Sequence, residues 1–191
     1  MSCTRISSAE STKAKTMYRT IAAAASVGLA LGFAGAIAAP AAKPTDPQIA
    51  RIAYTADQID IEAGKQALDK SKNQDVRAFA QRMVSDHTAV NDQALALVKK
   101  LNVTPEDNPT SQSLTQAADA ERKKLAGLDG AAFDKAYVDN EVAYHKTVNE
   151  ALSKTLIPDA QNAELKSLLE QGLKLFQSHQ QHAEALAKQL H

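Results

Sequence analysis

Residues 76–98, VRAFAQRMVSDHTAVNDQALALV, contain the pattern that decides the fold. Apolar residues recur there every three or four positions, which is the spacing of one face of an α-helix. The stripe consists of Val76, Phe79, Ala80, Met83, Val90, Ala94, Leu97 and Val98. His87 lies in the middle of this stripe, where a buried apolar residue is expected. A buried imidazole is costly unless it has a partner, so the stretch predicts a core helix with a polar site on its inner face.

A similar stripe precedes this stretch. It follows Asp46 and Pro47, which predict a helix N-cap and a proline at the first helical position. Its apolar residues are Ile49, Ile52, Ala53, Ala56, Ala63 and Ala67. The next helix is expected to begin at Asn73 and Asp75. Because the link between the two helices is short, we expect them to form an antiparallel hairpin.

Two more long helices are predicted in the second half of the chain. One runs from Phe133 to about Ile157, where Pro158 is expected to end it. The other runs from Asp159 to Leu190 and has leucine, phenylalanine and alanine at helical spacing. Their tight link predicts a second antiparallel hairpin.

A long connection joins the two predicted hairpins. Residues 102–109 contain two prolines and several turn formers, which indicates a loop. Residues 110–125 read as a short crossover helix that Gly127 and Gly130 end. No segment has the alternation of a strand. A single long crossover is typical of ferritin-like bundles, so we predict an all-α fold: a ferritin-like four-helix bundle with an additional short crossover helix.

The N-terminal residues 1–38 have the features of a secretory signal peptide. Basic residues precede an apolar run over residues 21–39, and Ala36-Ile37-Ala38 fits the small-residue cleavage pattern. An uncleaved anchor is the alternative, because the run is about long enough to span a membrane. Met17 offers a second translation start. We therefore predict an exported protein of the periplasm or cell envelope.

Composition excludes several classes of function. Cys3 is the single cysteine and lies in the predicted signal, so the mature protein has no disulfide, thiolate metal site or cysteine nucleophile. Removing residues 1–38 takes away four of 22 basic and one of 22 acidic residues, which leaves a net charge of −3. The sequence has no basic stripe, so nucleic acid is not an expected partner. An envelope protein or a membrane is the expected partner instead.

The length of the chain after a linker at residues 39–45 suits one domain, residues 46–191.

Polar residues lie on the apolar faces of the other three long helices as well. Asp60 lies on the first, Glu141 and His145 on the third, and His179 on the fourth. A lone buried histidine is usually a core residue bonded to a neighbour, but three on separate helices, with a carboxylate on the fourth, indicate a shared site. Histidine and carboxylate are ligands for zinc, copper, iron or nickel. We therefore predict Asp60, His87, Glu141, His145 and His179 as metal ligands.

Other readings of these residues stay open. Glu141 either binds the ion or orients His145 from the turn before it. The rival to a metal site is a hydrogen-bond network in which Asp60 and Glu141 accept from imidazole N–H groups. Asp86 is expected at the surface, paired with a lysine or arginine of a neighbouring helix. His182 falls outside its stripe. No serine has a nucleophile motif around it, so catalytic residues are not predicted.

Residues 79–87 form the motif Phe-Ala-x-x-Met-Val-x-Asp-His, and residues 60–64 form an acid-aliphatic-x-x-Gly pattern. Both resemble a bacterial envelope family of the ferritin-like group, the domain of unknown function 4142, and the similarity covers about residues 49–190. The resemblance implies a ferritin-like fold but no activity, since the family is largely uncharacterised. It usually has glutamate where this chain has the shorter Asp60. The chain has no inward Glu-x-x-His, so di-iron ferroxidase chemistry is not carried over.

These observations predict an exported helical bundle whose buried histidine and carboxylate residues bind one transition-metal ion. Zinc or copper is favoured over iron by ligand type. One alternative is a non-enzymatic envelope protein with a structural, interaction or stress-protection role, whose buried histidines form only a hydrogen-bond network. The other is a metal-dependent oxidative enzyme in which Tyr137 or Tyr144 donates protons or electrons.

Overall fold

The computed structural model describes residues 43–190. The predicted signal peptide, most of the predicted linker and His191 lie outside the described residues. The described residues form α1 (Asp46–Lys70), α2 (Gln74–Lys100), α3 (Pro109–Ala126), α4 (Gly130–Ala151), a π-helical segment (Leu152–Leu156), α5 (Ile157–Asp159) and α6 (Ala163–Ala187). Within residues 43–190 there is no strand, so the all-α prediction is confirmed.

Asparagine side chains cap three of the helices. The side chain of Asn73 accepts hydrogen bonds from the backbone N–H groups of Asp75 and Val76, at 2.9 and 3.2 Å. Asn108 and Asn162 cap α3 and α6 in the same way. Each cap satisfies donors that have no partner inside the helix. The predicted start of α2 at Asn73 is therefore confirmed.

The prediction that Asp46 caps α1 is wrong. Thr45 is the N-cap, and Asp46 is the first helical residue. The Asp46 carboxylate instead accepts hydrogen bonds from the backbone N–H groups of Gln161 and Asn162, both at 2.8 Å. It therefore ties the start of α1 to the turn before α6, a contact that depends on tertiary structure.

Pro158 does not end the third long helix at Ile157. The chain stays helical through the π segment and α5 to Asp159, and α6 begins at Ala163 rather than at Asp159. The π segment interrupts the regular i→i−4 pattern just before the proline, so the missing N–H of Pro158 removes little. Asn162, rather than Asp159, then supplies the cap of α6.

The helices pack as a bundle. α1 lies against α2 and α4 against α6, while α2 also contacts α6 and α1 also contacts α4. α3 packs mainly on α1. Gly64 allows α1 and α2 to approach closely, because a Cβ there would lie 2.9 Å from Val84 Cγ2 and 3.0 Å from the backbone oxygen of Ala80. None of the helices within residues 43–190 is both long and apolar enough to cross a membrane.

The core consists of two apolar halves. The first, here called the aromatic half, consists of Ala63, Ala67, Val76, Phe79, Ala80, Met83, Leu125, Phe133, Tyr137, Val138, Ala183 and Leu186. The second, here called the aliphatic half, consists of Ile49, Ile52, Leu152, Leu156, Ala160, Leu165, Leu169 and Phe176. On α1 and α6, the predicted site residue lies between members of the two halves. On α2 and α4, it lies between the aromatic half and a partly buried valine, Val90 or Val148, that packs against the aliphatic half. The bundle therefore carries a polar layer in its middle.

Candidate metal centre

Six polar side chains form the layer between the two apolar halves, and each residue is at most 3% exposed to solvent. They are Asp57 and Asp60 on α1, His87 on α2, Glu141 and His145 on α4, and His179 on α6. Each follows the helical spacing of its apolar neighbours, which turns it toward the bundle interior. The layer therefore collects titratable groups from four helices in a place that water does not reach.

The three predicted histidines converge. Their ring centroids lie 5.7 Å apart for His87 and His145, 5.2 Å for His87 and His179, and 5.5 Å for His145 and His179. One ring nitrogen from each lies within 4.8 Å of one ring nitrogen from each of the other two. Donor atoms that share an ion lie a few ångströms apart, so this spacing suits a common ligand.

The predicted carboxylates belong to the same cluster. Ligand atoms of Asp60, Glu141 and His145 also lie within 4.8 Å of one another. Asp60 Oδ2 lies 3.4 Å from His87 Nε2, and Glu141 Oε2 lies 3.5 Å from His145 Nδ1. All five residues singled out from the sequence are therefore neighbours, and His145 belongs to both groups.

Each histidine is held by one ring nitrogen. His87 Nδ1 donates to Asp57 Oδ1 at 2.7 Å, and His179 Nε2 donates to Asp86 Oδ2 at 2.9 Å. His145 Nδ1 donates to the backbone oxygen of Glu141 at 3.0 Å. A proton on the bonded nitrogen leaves the lone pair on the other one. These bonds therefore fix which nitrogen of each ring is free.

The three free nitrogens are His87 Nε2, His145 Nε2 and His179 Nδ1. All three are buried and have no hydrogen-bond partner among residues 43–190. The carboxyl group of Glu141 likewise receives no N–H donor from these residues, and its one polar partner is the carboxyl group of Asp60, with which it shares a hydrogen bond when one of the two is protonated.

Buried polar atoms are usually paired. Single residues elsewhere, such as Asn91 and Asp134, also have unpaired atoms, but the three histidines come from three helices and lie in one cluster, and that convergence needs an explanation.

Two acceptors in this arrangement were not recognised in the sequence as such. Asp57 was not singled out, although it lies three residues before Asp60 and hence on the same face of α1. The sequence predicts Asp86 at the surface with a lysine or arginine partner; it is partly exposed, but the predicted partner is wrong. Its side chain is 32% exposed and accepts from His179 of α6, because α6 packs directly beside α2 at this level.

Burial keeps the histidines neutral. It lowers the pKa of His87 to about 4 and that of His179 to about 4, although the hydrogen bond to Asp86 opposes the shift of His179. Burial, reinforced by the two neighbouring imidazoles, lowers the pKa of His145 to about 3. At neutral pH the three rings therefore have lone pairs available, which is the form that binds metal.

Burial has the opposite effect on the carboxyl groups. It raises the pKa of Glu141 to about 8. It also raises the pKa of Asp60 well above the usual value, and repulsion from Glu141 adds to that shift. The pKa of Asp57 is raised by burial as well. Charged carboxylates are therefore unfavourable here unless a proton or a cation accompanies them.

Two tyrosines lie near the cluster. The Tyr144 hydroxyl donates to the backbone oxygen of Ala56 at 3.1 Å. The Tyr137 hydroxyl is buried without a hydrogen-bond partner in the described part of the chain, and burial together with Glu141 and Asp60 raises its pKa. His182 is exposed and its ring meets the edge of Phe79 at 5.1 Å, outside the cluster, as its phase predicts.

The chain matches a family described as "Domain of unknown function (DUF4142)" over residues 32–186. It is also similar to a solved structure described as "Crystal structure of putative secreted protein DUF305 from Streptomyces coelicolor". The two are 16% identical, the alignment covers 73% of this chain and 89% of that one, and the TM-score is 0.62. At this identity the likeness shows the fold alone. No curated protein matches the chain.

Proposed function

The chain belongs to the DUF4142 family, and we propose that it is an exported protein that binds one transition-metal ion in the buried histidine site. One observation carries the proposal. His87, His145 and His179 each present a buried nitrogen without a hydrogen-bond partner in residues 43–190, and these nitrogens come from three different helices. Metal-ligating histidines are commonly held through their second nitrogen by a carboxylate or a backbone carbonyl, and all three rings are held in that way.

A hydrogen-bond network alone explains this arrangement less well. A network would give each buried nitrogen a donor or acceptor, since leaving one unpaired costs on the order of 1–3 kcal/mol. A protonated Asp60 would pair with His87 Nε2, which lies 3.4 Å from its Oδ2, but His145 Nε2 and His179 Nδ1 would still lack a donor among residues 43–190. A cation placed among these groups would satisfy the lone pairs and neutralise the carboxylates together.

The donor set favours zinc or copper over iron. Three imidazoles and one carboxylate suit a single ion, with Asp60 as the fourth ligand and Glu141 as an auxiliary group. Carboxylate-bridged di-iron sites need more glutamates than this layer supplies. A bound zinc or copper ion would provide Lewis acidity or, for copper, electron transfer. The chain's own residues would hold the ion, exclude water and set the histidine tautomers.

The fold and the location of the protein are part of this proposal. A long connection containing α3 separates the α1–α2 pair from the α4–α6 pair, which supports a ferritin-like four-helix bundle over residues 46–191. Export to the periplasm or envelope is supported by residues 1–38, which resemble a signal peptide. It is also supported by the description of the DUF305 structure, which calls that protein secreted. Cleavage would leave residues 39–45 as a linker.

A metal-dependent oxidative enzyme is the second candidate function. It is favoured by Tyr137, whose buried hydroxyl has no hydrogen-bond partner in the described residues and whose pKa is raised by burial and by the nearby Glu141. Such a phenol could donate a proton or an electron to a species at the metal. Copper-loaded protein supplied with an electron donor such as ascorbate should then reduce oxygen or peroxide while ascorbate is oxidised, and Tyr137→Phe should abolish turnover while leaving copper binding intact.

Calorimetric titration of the untagged, metal-free protein with Zn²⁺ and Cu²⁺ tests the metal site. Wild type should bind one ion, and His87→Ala should lose at least about tenfold in affinity because a central ligand is gone. His182→Ala is the matched control, since its exposed ring lies outside the cluster. If wild type binds neither ion, or if the two variants bind equally, the site is structural and the protein is an interaction or stress-protection bundle.

A second pair of variants tests whether Asp57 and Asp86 orient His87 and His179 by accepting a hydrogen bond from one ring nitrogen of each. Asp57→Ala removes the acceptor of His87, and Asp86→Ala removes the acceptor of His179. Loss of such a partner commonly lowers metal affinity by about 10- to 100-fold. We expect the larger loss for the buried Asp57, because water can replace part of the role of the partly exposed Asp86. Unchanged affinity in both variants would contradict the assignment of the free nitrogens.

A further inference from the structure

The aliphatic half of the core borders a partly open cavity of about 190 Å³. Side chains from α1, α2, α3, α4, the π segment and α6 line it, including Ala53, Val90, Ala94, Leu152, Leu169 and Phe176. Protein interiors rarely contain a void much larger than a water molecule. Larger side chains around this cavity would fill it, so the fold lacks the van der Waals contacts that they would make.

The lining is almost entirely apolar. Its polar members are Asp57, Thr110 and Thr147, and the two threonines are exposed, which places them at the rim. Asp57 is already held by His87 through a 2.7 Å hydrogen bond. A buried water needs two to four polar partners, and the interior of this cavity does not provide them. Its contents should therefore be apolar.

We propose that this cavity is a binding site for a small, neutral, apolar molecule. A dry apolar cavity of about 150 Å³ in another protein takes up benzene, so a cavity of this volume has room for a substituted benzene or a short alkyl group. The lining contains no cationic residue, which disfavours anionic ligands of the same shape. The site thus selects for absence of charge as well as for size.

Small side chains and the π segment create the space. Ala53, Ala94 and Gly172, from three helices, all line the cavity and contribute at most a methyl group. Leu152 and Leu156, the ends of the π segment, form part of another wall. π-helical segments occur frequently at functional sites, where they alter the face that a helix presents.

The cavity ends beside the histidine cluster. Asp57 and Phe176 both line it, and both contact His87: Asp57 by its hydrogen bond, and Phe176 by stacking at 4.7 Å between ring centroids. An occupant would therefore touch the two side chains that position one of the proposed ligands. The cavity's volume and lining exist without any ion, so this inference does not depend on metal binding.

Titration of the metal-free full chain with toluene, followed by ¹H–¹⁵N NMR, tests the proposal. Wild type should show saturable shifts at residues that line the cavity. Ala94→Phe puts a ring into the space and should weaken toluene binding by at least about tenfold. Ala96→Phe is the matched control, because Ala96 is exposed on the same helix and lines no part of the cavity. Benzoate, which has a similar shape but a charge, should not bind.

Ala53→Leu fills the cavity from α1 and serves as a second variant should Ala94→Phe fail to fold. It too should weaken toluene binding, with a far-ultraviolet circular dichroism spectrum like that of wild type. Saturable binding lost in both filled variants and kept in Ala96→Phe supports the proposal. Absence of saturable toluene binding by folded wild type, equal binding by the filled variants, or equal binding of benzoate would each overturn it.

Discussion

The two halves of the core differ in the side chains that form them and in how closely these pack. In the aromatic half, Phe79, Phe133 and Tyr137 have no measurable exposure, and the rings of Phe133 and Tyr137 stack with their centroids 6.1 Å apart. The aliphatic half has one aromatic ring, Phe176, and borders the cavity of about 190 Å³. The difference indicates closer packing around Phe79, Phe133 and Tyr137 than around Phe176, which borders the cavity. The polar layer lies between the two halves.

The largest expected difference between the halves comes from removing a phenylalanine in each. Phe79→Ala should cost about 3–5 kcal/mol of unfolding free energy, because its full burial leaves a new cavity in close packing. Phe176→Ala should cost at least about 1 kcal/mol less, since its ring already borders empty space and has fewer contacts to lose. Denaturant unfolding of the metal-free proteins measures both. An equal or larger loss for Phe176→Ala would mean that the aliphatic half is as well packed as the aromatic one.

The polar layer between the halves should show itself in a pH-dependent comparison of wild type with Glu141→Gln. The pKa of Glu141 rises from 4.5 to about 8 on folding, so its contribution is complete below pH 4.5 and is lost as the pH rises through about 8. The variant has no such group, so its stability relative to wild type should increase over this window by a few kcal/mol, on the order of the shift. The histidines are common to both proteins, so their effect cancels.

Unfolding of both metal-free proteins at about pH 5 and about pH 9 measures this difference. The histidine contribution has the opposite sign: with a pKa lowered from 6.5 to about 4, His87 contributes stability above pH 6.5 that is lost as the pH falls toward 4. A constant difference between wild type and Glu141→Gln across the window would show that Glu141 is not protonated in the folded protein.

Glycine-to-alanine substitutions compare the halves at smaller cost. Gly64→Ala brings a Cβ to 3.0 Å from the backbone oxygen of Ala80, which cannot move away easily, so a loss of about 1–3 kcal/mol is expected. Gly172→Ala brings a Cβ to 3.3 Å from the Phe176 ring, which borders the cavity and can shift. The gain in helix propensity, about 1 kcal/mol, should then leave that variant neutral or more stable. Thermal unfolding of the pair decides the order, and a reversed order would contradict the packing difference.

The smallest expected effect is a gain from filling the cavity. Ala94→Leu adds apolar atoms to a half-buried position on the cavity wall and should stabilise the fold by about 1 kcal/mol. Ala96→Leu makes the same change at an exposed position of α2 and should have almost no effect. Denaturation midpoints at equal m-value give the comparison. A destabilised Ala94→Leu would mean that the cavity walls are too rigid to admit the side chain.

The helices and the inward residues could be predicted from the sequence because helical phase is a property of the chain itself. The period of 3.6 residues places His87 among Met83 and Val90, and likewise turns His145 and His179 inward. The cap at Asn73 was also readable, since a side chain that bonds its own first turn needs no partner elsewhere. Glycine at position 64 was visible as a motif, but its role in the close contact of α1 and α2 was not.

Contacts between residues of different helices could not be predicted from the helical period of the sequence. Asp46 bonds the turn before α6, and Asp86 bonds His179, because those helices lie beside them in space rather than in sequence. The free nitrogen of each ring depends on such an acceptor, as with Asp57 and His87. By itself, the sequence determined which side chains enter the core, because the 3.6-residue period of a single helix shows which residues share its apolar face. Only the tertiary structure decided their distances, their tautomers and the cavity beside them, because these depend on the spacing and register between helices.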